Sequence, residues 1–213
     1  ISMKKRVATV ILNRNLPEVT NKLYLKLKKY NQKETDIFIL ESGSDKKKLS
    51  KYYTWWAKDP LVKKNGLRFF RGMNYALRKL YDEGNFYNYD AFFLITNDSE
   101  FENKRIIKKM LSILDKHEKL AILSPCSKKW GEKKIIPKNG IKYFWFLYDN
   151  ALFMRRKFIE EIFNLKKPGY KNFLFDGANF RGYGLESEII AKAYSNHWSV
   201  AITSSVWREE NEK

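Results

Sequence analysis

A chain of 213 residues, 44% hydrophobic and 16% aromatic, can bury one two-sided core and is too apolar for global disorder. Its formal net charge of +18 points to polyanions, phosphorylated ligands or anionic membrane surfaces without choosing among them. The single cysteine, Cys126, excludes an intramolecular disulfide and suits a reducing, cytoplasmic compartment, and no window approaches the roughly 20 apolar residues of a membrane span.

Val7 to Leu12 is an apolar run that predicts a first strand, with Asn13-Arg14-Asn15 at its end and Pro17 where a helix can begin. Val19, Leu23, Leu27 and Tyr30 recur at helical spacing. Asp36 to Leu40 predicts a second strand, closed by Glu41-Ser42-Gly43-Ser44-Asp45. Leu49, Tyr52, Tyr53 and Trp56 then predict a helix. Strand, helix, strand, helix implies parallel pairing with right-handed crossovers. Asn65-Gly66 marks a turn, and the helix after it turns Met73, Leu77 and Leu80 inward. A loop from Asp82 to Tyr89 leads into Phe92–Ile95, which suits a strand buried on both faces. Ile106, Met110 and Ile113 mark another helix, and Leu120 to Leu123 another strand. Residues 128–140 are loop-like. Residues 141–154 supply one or two aromatic-rich strands, and 155–163 a short helix. After an irregular, glycine-rich stretch to Gly184, a helix starts at Leu185 and a last strand covers Val200–Thr203. The pattern predicts one α/β domain with a mixed, mostly parallel central sheet flanked by helices.

The apolar run at 92–95 ends abruptly in Thr96-Asn97-Asp98-Ser99-Glu100. A carboxylate at the carboxyl end of a buried strand sits where open α/β sheets bind ligands, which makes Asp98 a candidate for metal or phosphate chemistry. The same residues also suit a turn and a helix cap. Three further polar clusters follow predicted strands or open predicted helices: 13–15, 41–45 and 184–188, the last being Gly184-Leu185-Glu186-Ser187-Glu188. In a parallel sheet the clusters at 13–15, 41–45 and 96–100 share one rim.

The order of these pieces, from about Val7 to His197, resembles the family 2 glycosyltransferases of the GT-A fold. VILNRN matches the family's first strand and its Thr/Asn-rich turn, and FILESGSD the second strand and its acidic turn, with Glu41 at the usual aspartate. Gly66, Gly72 and Asn74 match a glycine and asparagine pattern on a helix. TNDSE matches the metal-binding DxD, and GLESEI the segment that carries the catalytic base. The resemblance implies a UDP-sugar donor, Mn²⁺ or Mg²⁺, and inverting transfer of one glucose, galactose or rhamnose to a hydroxyl of a glycan or glycoconjugate. It implies donor contacts from Leu12, Asn13, Glu41, Arg68, Arg71, Asn74, Asn97 and Asp98. Metal contacts fall to Asp98 and the late His197, the base to Glu186, and a shared or orienting role to Glu188. The division is a nucleotide-binding half over residues 5–100 and an acceptor half over 101–213, within a single domain spanning 1–213. Within the family the chain is also similar to an amino-terminal domain of a multidomain protein from large algal viruses, which implies a monomeric unit of a larger protein in the host cytoplasm. Two departures stand out. Thr96 replaces the first acid of the DxD, and Glu replaces Asp at several acidic positions.

Trp145, Phe146, Tyr148 and Asp149 suit an acceptor surface, because aromatic faces stack on pyranose rings; a core or edge strand explains them equally. His117 reads as a solvated helix end, Cys126 as a packed small residue. A nucleic-acid-binding module gripping single strands is the competing reading of the charge and the six tryptophans, although the lysines are scattered and carry no specific nucleic-acid motif. A third reading is a catalytically inactive domain that still binds nucleotide sugars. Peripheral membrane contact fits the charge.

Overall fold

The computed structural model describes residues 5–147 and 151–211. In chain order the elements are β1 (Val7–Asn13), α1 (Pro17–Asn31), β2 (Thr35–Ser42), β3 (Trp55–Ala57), α2 (Pro60–Asn65) and α3 (Arg68–Asp82). There follow β4 (Ala91–Thr96), β5 (Ser99–Phe101), α4 (Ile106–Lys116), β6 (Leu120–Cys126) and β7 (Ile141–Tyr143). The last are β8 (Ala151–Arg155), α5 (Arg156–Ile162), α6 (Leu185–Ser195) and β9 (Ser199–Glu210).

The strands among the described residues form one mixed sheet in the order β3-β2-β1-β4-β8-β6-β9-β5, with β7 also on β9. β3, β2, β1 and β4 run parallel, in the register Leu12 opposite Leu40 and Thr96. β8 runs antiparallel between β4 and β6. Strand residues alternate between two cores, as the pleat requires. Val7, Ile11, Phe93 and Ile95 pack under α1 and α4 with Leu23, Leu27, Ile107 and Met110. Ala8, Val10, Phe92 and Leu94 pack under α3, α5 and α6 with Met73, Leu77, Phe158 and Ile189. The apolar run at 92–95 is thus covered on both faces, as its composition implies.

The helix expected around Leu49–Trp56 is absent. A short 3₁₀ turn at Lys46–Lys48 precedes an extended segment and β3. Tertiary contacts override the helical spacing: Tyr52 stacks on Tyr24 at 4.4 Å, while the Trp55 and Trp56 indole N–H groups donate to Glu83 and to the Ser44 carbonyl. Aromatic residues of this kind also suit an edge strand. β9 runs well beyond Thr203, because it pairs in turn with β6, β7 and β5.

The irregular 166–184 segment is anchored by one side chain. Asn74, fully buried on α3, accepts from the Leu174 and Phe175 N–H groups and donates to the Phe175 and Lys171 carbonyls. Asn74 therefore serves the loop and does not face a ligand. Replacing Asn74 with Ala strands these buried backbone groups and is expected to cost about 2–4 kcal/mol in urea unfolding, with faster proteolysis within 171–175.

Candidate active site

The carboxyl ends of β1, β2 and β4 are joined by side chains. The Glu41 carboxylate, fully buried, accepts from Asn13 Nδ2 at 3.0 and 2.9 Å, Ser44 Oγ at 2.5 Å and the Ser50 N–H at 2.7 Å. Asn13 Oδ1 in turn accepts from Asn97 Nδ2 at 2.9 Å and from the Leu16 N–H at 3.2 Å. Asn97 Nδ2 also donates to Thr20 Oγ1 on α1 at 3.1 Å. One network therefore crosses three adjacent strand ends and the first turn of α1. Ser42 Oγ accepts from the Leu67 N–H at 2.6 Å and sets the entry of α3.

Above this network lies a cleft of about 470 Å³ lined by Leu12, Arg14, Ser42, Gly66, Arg68, Thr96 and Asn97. Arg14 donates through Nη2 to the Lys63 and Lys64 carbonyls at 3.2 and 3.1 Å. Its Nη1 lies against Gly66, where an added Cβ would come within 2.1 Å, and the positive φ of Gly66 (+71°) suits only glycine. Arg68 has φ of +60°, a left-handed conformation uncommon outside glycine and found at ligand sites. Arg68 lines the cleft. Arg71 does not; its Nε donates to the Gly177 carbonyl at 2.5 Å and its guanidinium sits 4.9 Å over Phe180. Arg68 reaches the same ring at 5.7 Å.

Asp98 follows β4 and is bonded to Thr96, which lines this cleft. Thr96, in the first position of the acidic pair, donates its hydroxyl to Asp98 Oδ1 at 2.5 Å. No group of three or more His, Cys, Asp or Glu able to hold a metal exists among the described residues. One carboxylate nevertheless fits Mg²⁺ or Mn²⁺ held mainly by phosphate oxygens and water. The donor set fits a metal that arrives with a diphosphate, not one bound beforehand.

Sheet direction settles the remaining candidates. Thr96 and Ala151 lie at one rim, because Ile95 pairs with Ala151; Ala91 and Arg155 lie at the other. β6 and β9 both start at that second rim, where Leu120 pairs with Ser199. His197, just before β9, therefore lies across the sheet from Asp98 and is not among the residues brought together. Trp145 is also remote: the Phe144 N–H bonds the Val200 carbonyl, near the start of β9, and Trp145 stands 79% exposed beside it. Tyr148 and Asp149 lie outside the described residues. α6 leads through a short turn into the start of β9, so it runs back along the sheet and its amino end faces the Thr96 rim. The preceding loop docks on the first turns of α3: Phe180 sits by Arg68 and Arg71, and a Cβ on Gly182 would press on Phe70. Glu186 and Glu188, in the first turn of α6, belong to this side of the molecule. Glu188 pairs with Lys192 at 2.6 Å, while Glu186 has no ion pair among the described residues. Cys126 is buried, which pushes its thiol up to about 11 and leaves it inert at neutral pH.

Arg14, Thr20, Ser44 and Ser50 were not candidates in the sequence. Arg14 stands inside the polar cluster after β1. Ser44 stands inside the cluster after β2, while Thr20 and Ser50 carry no motif, because only the fold brings them to Asn97 and Glu41.

No protein-family model and no curated protein matches the chain. Solved structures do. GalNAc-T7 with UDP, GalNAc and Mn²⁺ aligns over 99% of this chain and 44% of its own, at 11% identity and a TM-score of 0.71. TarS 1-349 of S. aureus in complex with UDP aligns over 95% and 59%, at 12% identity and 0.63. A197 from STIV aligns over 96% and 85%, at 12% identity and 0.54. The chain thus spans about half the length of the first two. At these identities the likeness is one of fold, and the fold is GT-A, as the motif order implies.

All four contacts on Glu41 are donors, so only an all-acceptor group fits there. Glu41→Gln turns an amide N–H₂ towards a donor. It is expected to lower stability by about 2–3 kcal/mol in urea unfolding.

Proposed function

We propose that this chain is a single glycosyltransferase domain. It moves one hexose or deoxyhexose from a UDP-sugar to a hydroxyl of a glycan acceptor, with inversion. The observation that carries the reading is the cleft over the linked ends of β1, β2 and β4, with Arg68 in its wall and Asp98 bonded to its Thr96, on a GT-A fold. Residues up to about 100 form the nucleotide half, and those from 101 onwards the acceptor half.

Asn13 and Asn97 set the floor on which the nucleoside rests, and Leu12 lines the same cleft. Glu41 is saturated by its own partners and acts through Asn13. Arg68 faces the diphosphate, whose oxygens its guanidinium fork matches. Asp98 would hold Mg²⁺ or Mn²⁺, which when bound neutralises the leaving diphosphate. Glu186, without an ion pair among the described residues, takes the proton from the acceptor hydroxyl as the oxygen attacks the anomeric carbon. A single in-line displacement inverts that centre. Glu188, committed to Lys192, orients the first turn of α6.

Thermal melting tests the donor half. UDP with Mn²⁺ is expected to raise the Tm and Mn²⁺ alone to leave it unchanged; Asp98→Ala should abolish the metal-dependent part. A Tm indifferent to UDP, beside salt-sensitive binding of oligonucleotides, would move the reading to a nucleic-acid module. For the chemistry, Glu186→Gln should keep UDP binding and lower transfer by about 10²–10⁴-fold. Wild-type turnover in that variant removes Glu186 from the base role, and no turnover in either protein leaves a nucleotide-sugar-binding domain.

A further inference from the structure

A second concavity lies away from the proposed donor cleft. It measures about 960 Å³ and straddles the amino half of β2, at the sheet edge. β3 pairs only with Leu40, Glu41 and Ser42. Thr54 extends that pairing by one residue: its N–H bonds the Ile39 carbonyl and its hydroxyl accepts from the Ile39 N–H. The odd-numbered residues of β2 therefore point their backbone groups outwards, since Glu34 bonds inwards to β1 through its carbonyl. By this alternation Thr35 and Ile37 direct N–H and C=O groups outwards with no partner among the described residues; Thr35 is only 2% exposed, so the open pair is that of the half-buried Ile37. Both residues line the concavity.

Its walls are basic and partly aromatic. Lys5, Lys28 and Lys33 line it against one acid, Asp36. That acid is already engaged, by Lys5 Nζ at 2.7 Å and by the Tyr89 hydroxyl at 2.9 Å. Lys28 and Lys33 are exposed at the end of α1 and have no acidic partner among the described residues. Tyr24, stacked on Tyr52, and Phe38, stacked on Trp55 at 5.2 Å, offer ring surface on the two faces of the strand.

We propose that this groove docks an extended acidic polypeptide segment, which adds as a strand beside Thr35–Ile37. Open backbone donors and acceptors at a strand edge recognise another peptide backbone. The surplus of lysines selects acidic side chains on it. A nucleic acid would use the charge and the rings, and its phosphates can accept an N–H, but its backbone offers no donor to the outward Ile37 carbonyl.

Fluorescence anisotropy at an ionic strength of about 0.01 M, where charges act over roughly 30 Å, tests this with a labelled octapeptide of alternating Glu and Val. Binding is expected for the wild type and at least a ten-fold loss for Lys28→Glu/Lys33→Glu. The double variant should keep the UDP response of the donor cleft, which separates this groove from the proposed transfer activity. Peptide binding should also slow amide exchange at Ile37. An alternating Lys and Val octapeptide that binds equally well would overturn the proposal. So would unchanged affinity in the double variant, or an unprotected Ile37 amide. Preferential binding of an eight-residue oligo-dT, lost in the same double variant without Ile37 protection, would assign the groove to nucleic acid instead.

Discussion

A buried carboxylate surrounded only by donors holds the functional rim together. Burying such a group without partners is costly, and with four it becomes a directional clamp. Glu41 receives Asn13, Ser44 and Ser50, and so fixes the turns after β1 and β2. Asn13 passes the constraint to Asn97, after β4. Parallel strands deliver three chain ends to one rim, but register alone leaves their loops free. The Glu41–Asn13–Asn97 relay turns that rim into a shaped floor.

Charge is distributed to suit this floor. Arg14 and Arg68 face the cleft, whereas Arg71 and Asn74 hold the loop before α6. Gly66 lets Arg14 lie against the α2–α3 turn, and the unusual backbone of Arg68 starts α3 at the cleft edge. Thr96 supplies a hydroxyl where a second acid would otherwise stand, and directs it to Asp98. The acidic pair of the family pattern thereby becomes one carboxylate with an attached donor.

Strand positions and the shared rim were legible because long apolar runs ending in polar clusters mean little else in an α/β chain. Asp98 as a rim candidate came from that logic, whereas Asn97 came from the resemblance. The misread stretch, 49–56, is one where aromatic stacking and indole hydrogen bonds decide the backbone, and spacing records neither. Asn74 and Glu41 were read as ligand contacts because their motif positions suit that role. Only coordinates reveal that every polar atom of each is already used within the chain. His197 was assigned by the resemblance and Trp145 for its aromatic face, yet the direction of β9 and its pairing with β7 carry both to the far rim. A residue's side of a sheet depends on strand direction, which local sequence does not encode.

A crystal structure of the chain soaked with UDP and Mn²⁺ tests the central claim most directly. The account predicts the uridine over Asn13 and Asn97, the diphosphate between Arg68 and Asp98, and Glu41 still holding its hydrogen bonds from Asn13, Ser44 and Ser50. Nucleotide density elsewhere on the surface, or a Glu41 side chain swung out to touch the base, would contradict it.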